Sequence, residues 1–89
     1  MTSYRRDDAV LWRSTGRTVV LLTPAEDEPF SLGGAGVTLW DLLSGPHSTG
    51  AAAESLAAMF GISSADALEA ITPVLEELTE RGAVVVTEE

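Results

Sequence analysis

Cysteine and lysine are both missing from this 89-residue sequence, and histidine occurs once, as His47. Without cysteine there is no disulfide framework and no thiolate chemistry, which points to a reducing, cytoplasmic setting. Without lysine the cations are five arginines, set against fourteen acids for a formal charge of −9. Such a surface repels the phosphate backbone, whose binding depends on cationic contacts that displace counterions, so no nucleic-acid partner is expected. Apolar stretches such as Val19 to Leu22 and Ala83 to Val86 fall far short of the roughly 20 residues that cross a bilayer, and no membrane span is expected. The chain opens with Met1-Thr2-Ser3-Tyr4-Arg5-Arg6 and runs into Asp7-Asp8, where a signal peptide would need an apolar region.

Residues that carry chemistry are as sparse. Nucleophilic catalysis needs a hydroxyl or thiol beside an activating group, and His47 stands in a Pro46-His47-Ser48 loop. A metal would be left to carboxylates, but Glu76, Glu77 and Glu80 spread around a helix instead of converging. Gly33-Gly34-Ala35-Gly36 lacks the Lys and the Ser/Thr of a phosphate loop and the spacing of a dinucleotide loop, and reads as a strand-to-helix connection. No catalytic residue, cofactor or metal site is expected, and the chain is not expected to be an enzyme.

What the sequence does contain is enough apolar material, 45% of residues, for one small core, and residues 1–89 are read as a single domain. Ala9 to Arg13 and the β-branched Thr18 to Leu22, joined by a Ser14-Thr15-Gly16-Arg17 turn, predict a hairpin. A proline-bounded acidic loop, Pro24 to Pro29, leads to a short third strand at Phe30-Ser31-Leu32. Pro29 lacks a backbone donor and suits a sheet edge, which leaves part of that strand's ladder open to another chain. From Val37 the apolar spacing turns helical, and Gly45-Pro46 ends the first helix. Thr49 is the expected cap of a second helix with Ala52, Leu56, Met59 and Phe60 on its apolar face. Ser63 or Ser64 opens a third helix striped by Leu68, Ile71, Leu75 and Leu78, with Ala67 and Val74 on one shoulder and Thr72 and Thr79 on the other. Pro73 either kinks this helix or forces a restart capped by Thr72. Gly82 ends it before an extended Ala83 to Val86 segment, and Trp12 and Trp40, inside apolar stretches, are expected in the core. The fold class is α+β, similar to a winged helix-turn-helix, with a three-stranded antiparallel sheet followed by three helices. A DNA-reading helix would offer Arg, Asn or Gln, whereas Ser64 to Glu80 offers Glu69, Glu76, Glu77 and Glu80.

The order of Pro29-Phe30-Ser31-Leu32 and Ala35, then Leu39-Trp40-Asp41-Leu42-Leu43-Ser44-Gly45, then the capped helix from Thr49 and the ending Leu75 to Val84, resembles the PqqD-like family over nearly the whole chain. Its most specific parts are the strand leading into Trp-x-Leu-Leu-x-Gly and the Leu-x-x-x-Gly-small-Val ending. Gly33-Gly34 and Pro73 depart from the pattern. The resemblance implies a peptide-recognition element that binds the leader of a ribosomally made precursor, as a strand added to the third β-strand against the third helix. It further implies delivery of that peptide to a leader peptidase or cyclase, with a lasso-peptide pathway as the expected setting. On that reading Pro29, Phe30, Ser31 and Leu32 form the edge, and the pocket walls are drawn from Ala67, Ile71, Val74, Leu75 and Leu78. A protein–protein adaptor without leader binding and a DNA-binding regulator are the alternatives.

Overall fold

A computed structural model describes residues 2–88. In chain order the elements are β1 (Thr2–Arg6), β2 (Leu11–Ser14), β3 (Thr18–Leu22), β4 (Phe30–Gly33), α1 (Ala35–Leu42), α2 (Thr49–Phe60), α3 (Ser64–Glu80) and β5 (Val84–Glu88). The α+β expectation holds: β2, β3 and β4 form an antiparallel sheet in that order, followed by three helices, and a second two-stranded sheet joins β1 to β5.

The hairpin register pairs Leu11 with Leu22 and Ser14 with Val19, and β4 pairs Leu32 with Val19 and Phe30 with Leu21. Alternation along β3 turns Val19, Leu21 and Thr23 inward and leaves Thr18, Val20 and Leu22 on the outer face. The inward residues meet Leu39, Trp40 and Leu43 from α1 and the region just after it, Ala52, Ala53, Leu56 and Ala57 of α2, and Ala67, Ile71, Leu75 and Leu78 of α3. The alanines of α2 let α3 approach closely, and these two helices make the most extensive helix contact. Gly36 serves the same end at the sheet, since a Cβ there would lie 3.3 Å from the Leu32 Cβ.

Several sequence expectations change. Strand β1 was unforeseen: Thr-Ser-Tyr-Arg-Arg has no apolar alternation, and all five residues are half-buried. It is held by backbone pairing with distant β5, from Thr2 opposite Glu88 to Arg6 opposite Val84. On its other side Tyr4 exchanges two hydrogen bonds with His47, at 2.8 and 3.0 Å, and the Arg6 N–H donates to the Leu43 carbonyl at 2.8 Å. His47 is therefore a backbone tie between β1 and the α1–α2 connection.

Trp40 is fully buried, but Trp12 is 44% exposed, because β2 is an edge strand that overhangs the core. Its ring meets Trp40 edge-on, with centroids 6.1 Å apart, and the Arg6 guanidinium lies 4.8 Å from the Trp12 ring centroid. The cap of α2 is Ser48, whose Oγ accepts from the Ala51 N–H at 3.1 Å, so Thr49 is the first helical residue. Met59 and Phe60 are exposed, since Gly61, at φ +66°, turns the chain away before that face reaches the core. In α3 the buried line runs through Ala67 rather than Leu68. The helix is continuous through Pro73, capped by Ser63, whose Oγ accepts from the Asp66 N–H at 3.0 Å. Pro73 has no N–H for the Glu69 carbonyl, but Glu69 is exposed to water. Just before the proline, the Thr72 hydroxyl donates to the Leu68 carbonyl at 2.7 Å.

Candidate functional site

Both β2 and β4 are edges of the three-stranded sheet, and the hydrogen-bond phase shows what β4 offers. Opposed residues in an antiparallel pair alternate between hydrogen-bonded and non-bonded. The Thr15 N–H donates to the Thr18 carbonyl at 2.9 Å, so Thr18, Val20 and Leu22 direct their backbone groups to β2. Val19 and Leu21 then direct theirs to Leu32 and Phe30 of β4. The N–H and C=O groups of Ser31 and Gly33 are left pointing out from the free edge. Pro29, in the same phase, contributes a carbonyl alone. The register thus moves the edge role expected of Phe30 and Leu32 to Ser31 and Gly33, while the Phe30 and Leu32 side chains turn inward. Gly34, at φ +56°, breaks the strand and starts α1 in a conformation that a side chain strains.

The second wall is α3. At its C-terminal end Arg81 reaches the start of β4: its Nη1 donates to Glu26 Oε2 at 2.9 Å, its Nε donates to Glu77 Oε1 at 3.1 Å, and its guanidinium lies 4.3 Å from the centroid of the Phe30 ring. Glu26 is itself fixed by the buried Thr23, whose hydroxyl donates to Oε1 at 3.0 Å. At the other end Ile62, just before the α3 cap, shares a pocket with Gly34, just after β4. The helix and the strand therefore run in opposite directions, and the space between them is the candidate groove.

Helical spacing puts Ala70, Val74 and Glu77 on the face that Arg81 occupies. Of the expected pocket walls, half-buried Val74 is the one on this face. Ala67, Ile71 and Leu78 are buried in the core beneath it. Leu75 is turned to the opposite flank of α3, where it lines a separate pocket of about 330 Å³ with Tyr4, Thr49 and Thr79. The sequence reading missed Gly33, Ala70 and Arg81. One signal for Arg81 was available, since it is the sole cation after Arg17.

The arrangement offers main-chain donors and acceptors on one wall, small and apolar side chains on the other, and one fixed cation at the end. It suits an extended peptide, with backbone pairing for affinity and side-chain contacts for selection. Among the described residues no group of three or more His, Asp or Glu side chains could hold a metal, and no helix is long and apolar enough to cross a membrane.

No curated protein matches the chain. The solved structure of TbiB1 in complex with the TbiA(β) leader peptide shares the fold, with a TM-score of 0.78 and 20% identity over 90% of this chain and 93% of that one. The model of the family described as coenzyme PQQ synthesis protein D (PqqD) matches residues 18–84, from the first residue of β3 to the first of β5. That span takes in β4, all three helices and both walls of the groove, and the chain belongs to the PqqD family.

Proposed function

We propose that this protein is a recognition element for the leader segment of a ribosomally made precursor peptide, which it binds as a strand added to β4 along α3. The observation that carries this reading is the unpaired β4 edge, with the backbone groups of Ser31 and Gly33 facing outward beside α3. Family membership supports it, as does the shared fold with TbiB1, a protein solved with a leader peptide. The leader is disordered when free and orders on binding, so moderate affinity is expected. In this reading the chain is a single unit without catalytic function. It works in the cytoplasm and raises the effective concentration of the precursor at a leader peptidase or cyclase, as tethering does. A lasso-peptide pathway is the setting we favour.

The test is titration of fluorescent synthetic leaders from whatever short precursor peptides are encoded in the same gene neighbourhood, read by anisotropy, for the wild type and Ser31→Pro. Ser31 is exposed and its N–H faces away from β3, so proline there leaves the ladder intact and blocks only the free edge. Saturable binding by the wild type, lost in a variant with unchanged circular dichroism, is the expected result. A folded wild type that binds no leader refutes the proposal.

A further inference from the structure

Pro29 leaves a gap in the β4 edge. It shares the outward phase of Ser31 and Gly33, but it has a carbonyl and no N–H. A peptide strand in register with Ser31 finds, two residues along, a carbonyl to donate to and no donor for its own carbonyl. A carbonyl drawn into a groove without a partner costs about as much as a lost hydrogen bond. Backbone pairing alone therefore holds a peptide less well at this end than at Ser31.

Arg81 stands at that gap. Its guanidinium lies 4.3 Å from the centroid of the Phe30 ring, and Phe30 directly follows Pro29. A guanidinium carries five N–H donors. The one on Nε goes to Glu77 and one on Nη1 goes to Glu26, and among the described residues no hydrogen bond engages the other three. Two carboxylates and a ring hold the head group in place, so little side-chain freedom is lost when it donates again. Charge decides what it can donate to. Glu26 and Glu77 already outweigh the arginine, and Asp27 and Glu28 directly precede Pro29, so a leader carboxylate is repelled here and a neutral carbonyl is not.

We infer that Arg81 donates to the leader's backbone carbonyl opposite Pro29, in place of the N–H that proline lacks. The inference rests on the leader-binding reading and adds to it a side-chain donor that continues the β4 ladder past Ser31. Because Arg81 reads main chain, it strengthens binding at this end without requiring a particular leader side chain.

The experiment titrates the same labelled leaders against Arg81→Met, Pro29→Ala and the two together, with circular dichroism to establish that each variant is folded. Arg81→Met is expected to weaken Kd about tenfold. Pro29→Ala, which returns an N–H to the edge, should leave Kd within about twofold of the wild type and bring the double variant back to that value. Its effect on the fold has the opposite sign, because losing proline frees the unfolded chain, so the recovery reads the restored donor and not stability. Arg81→Lys keeps the stem and the charge but not the planar fork. It should show the same loss and the same recovery, which serves if the methionine variant does not fold. A loss that persists when Pro29→Ala is added, or an equal loss in Glu26→Gln, makes Arg81 a structural tie alone and overturns the inference. Full affinity in folded Arg81→Met also overturns it, and the groove reading then stands if Ser31→Pro still abolishes binding. If the folded wild type binds no leader, both fall.

Discussion

Replacing Arg81 with methionine, which keeps an unbranched apolar stem and removes the charge, should loosen the end of the groove where α3 meets the start of β4. Three interactions are lost at once: the ion pair to Glu26 at 2.9 Å, the ion pair to Glu77 at 3.1 Å, and the guanidinium over Phe30 at 4.3 Å. The side chains of Arg81 and Glu26 are 34% and 30% exposed and that of Glu77 is 52% exposed, so solvent screens both pairs. Each pair then contributes about 0.2–0.8 kcal/mol, and the cation over the ring about 0.5–1 kcal/mol. The sum is about 1–2.6 kcal/mol, which in a domain of this size lowers Tm by roughly 4–20 °C. Urea unfolding followed by far-ultraviolet circular dichroism is the assay, because urea leaves ion pairs unscreened. In 1 M salt, where the Debye length falls to about 3 Å, the wild-type advantage should shrink toward the part contributed by Phe30. In a cycle with Glu26→Gln, which keeps an acceptor for the Thr23 hydroxyl, the two losses should fall short of additive. A variant whose urea midpoint matches the wild type at low salt would refute the idea that Arg81 ties the two walls together.

Three other substitutions probe the end of β4 and the burial of the two tryptophans. Gly34→Ala places a side chain at φ +56° with ψ −130° and should cost about 1–3 kcal/mol, seen as a lower melting temperature, although a Cβ there meets no other atom within 4 Å. Trp12→Phe leaves the buried Trp40 as the only indole, so the remaining fluorescence should resist acrylamide quenching, whereas Trp40→Phe should leave a readily quenched emission from Trp12. Equal quenching of the two variants would contradict the burial of Trp40.

The local elements were legible because their signals are local. Thr18-Val-Val-Leu-Leu22, the Gly45-Pro46 stop and the serine before α3 each act within a few residues. Strand β1 was not, because its pairing with β5 joins the two extremes of the sequence and Tyr4 is its one apolar residue. The sidedness of α3 was half legible. The stripe of Ile71, Leu75 and Leu78 identifies a buried face, but α2 approaches through alanines, and that moves the line from Leu68 to Ala67. For the groove, the sequence pointed to Pro29 and the strand after it. Which residues of that strand face outward depends on the phase of the hairpin two strands away, and so the edge belongs to Ser31 and Gly33. Arg81 finds Glu26 across 55 positions, a separation that no local pattern records.

The pairing of β1 with β5 has a consequence for how this unit can be joined to others. Thr2 and Glu88 stand opposite each other, with the threonine hydroxyl donating to the Glu88 carboxylate at 2.8 Å, so chain enters and leaves side by side. The groove lies on the other sheet, against α3. Such a unit can be spliced into a loop of a larger protein, or have its ends joined by a linker of a few residues and be reopened elsewhere, without redirecting the β4 edge. Genetically it is a cassette whose attachment point and open β4 edge are on separate sheets.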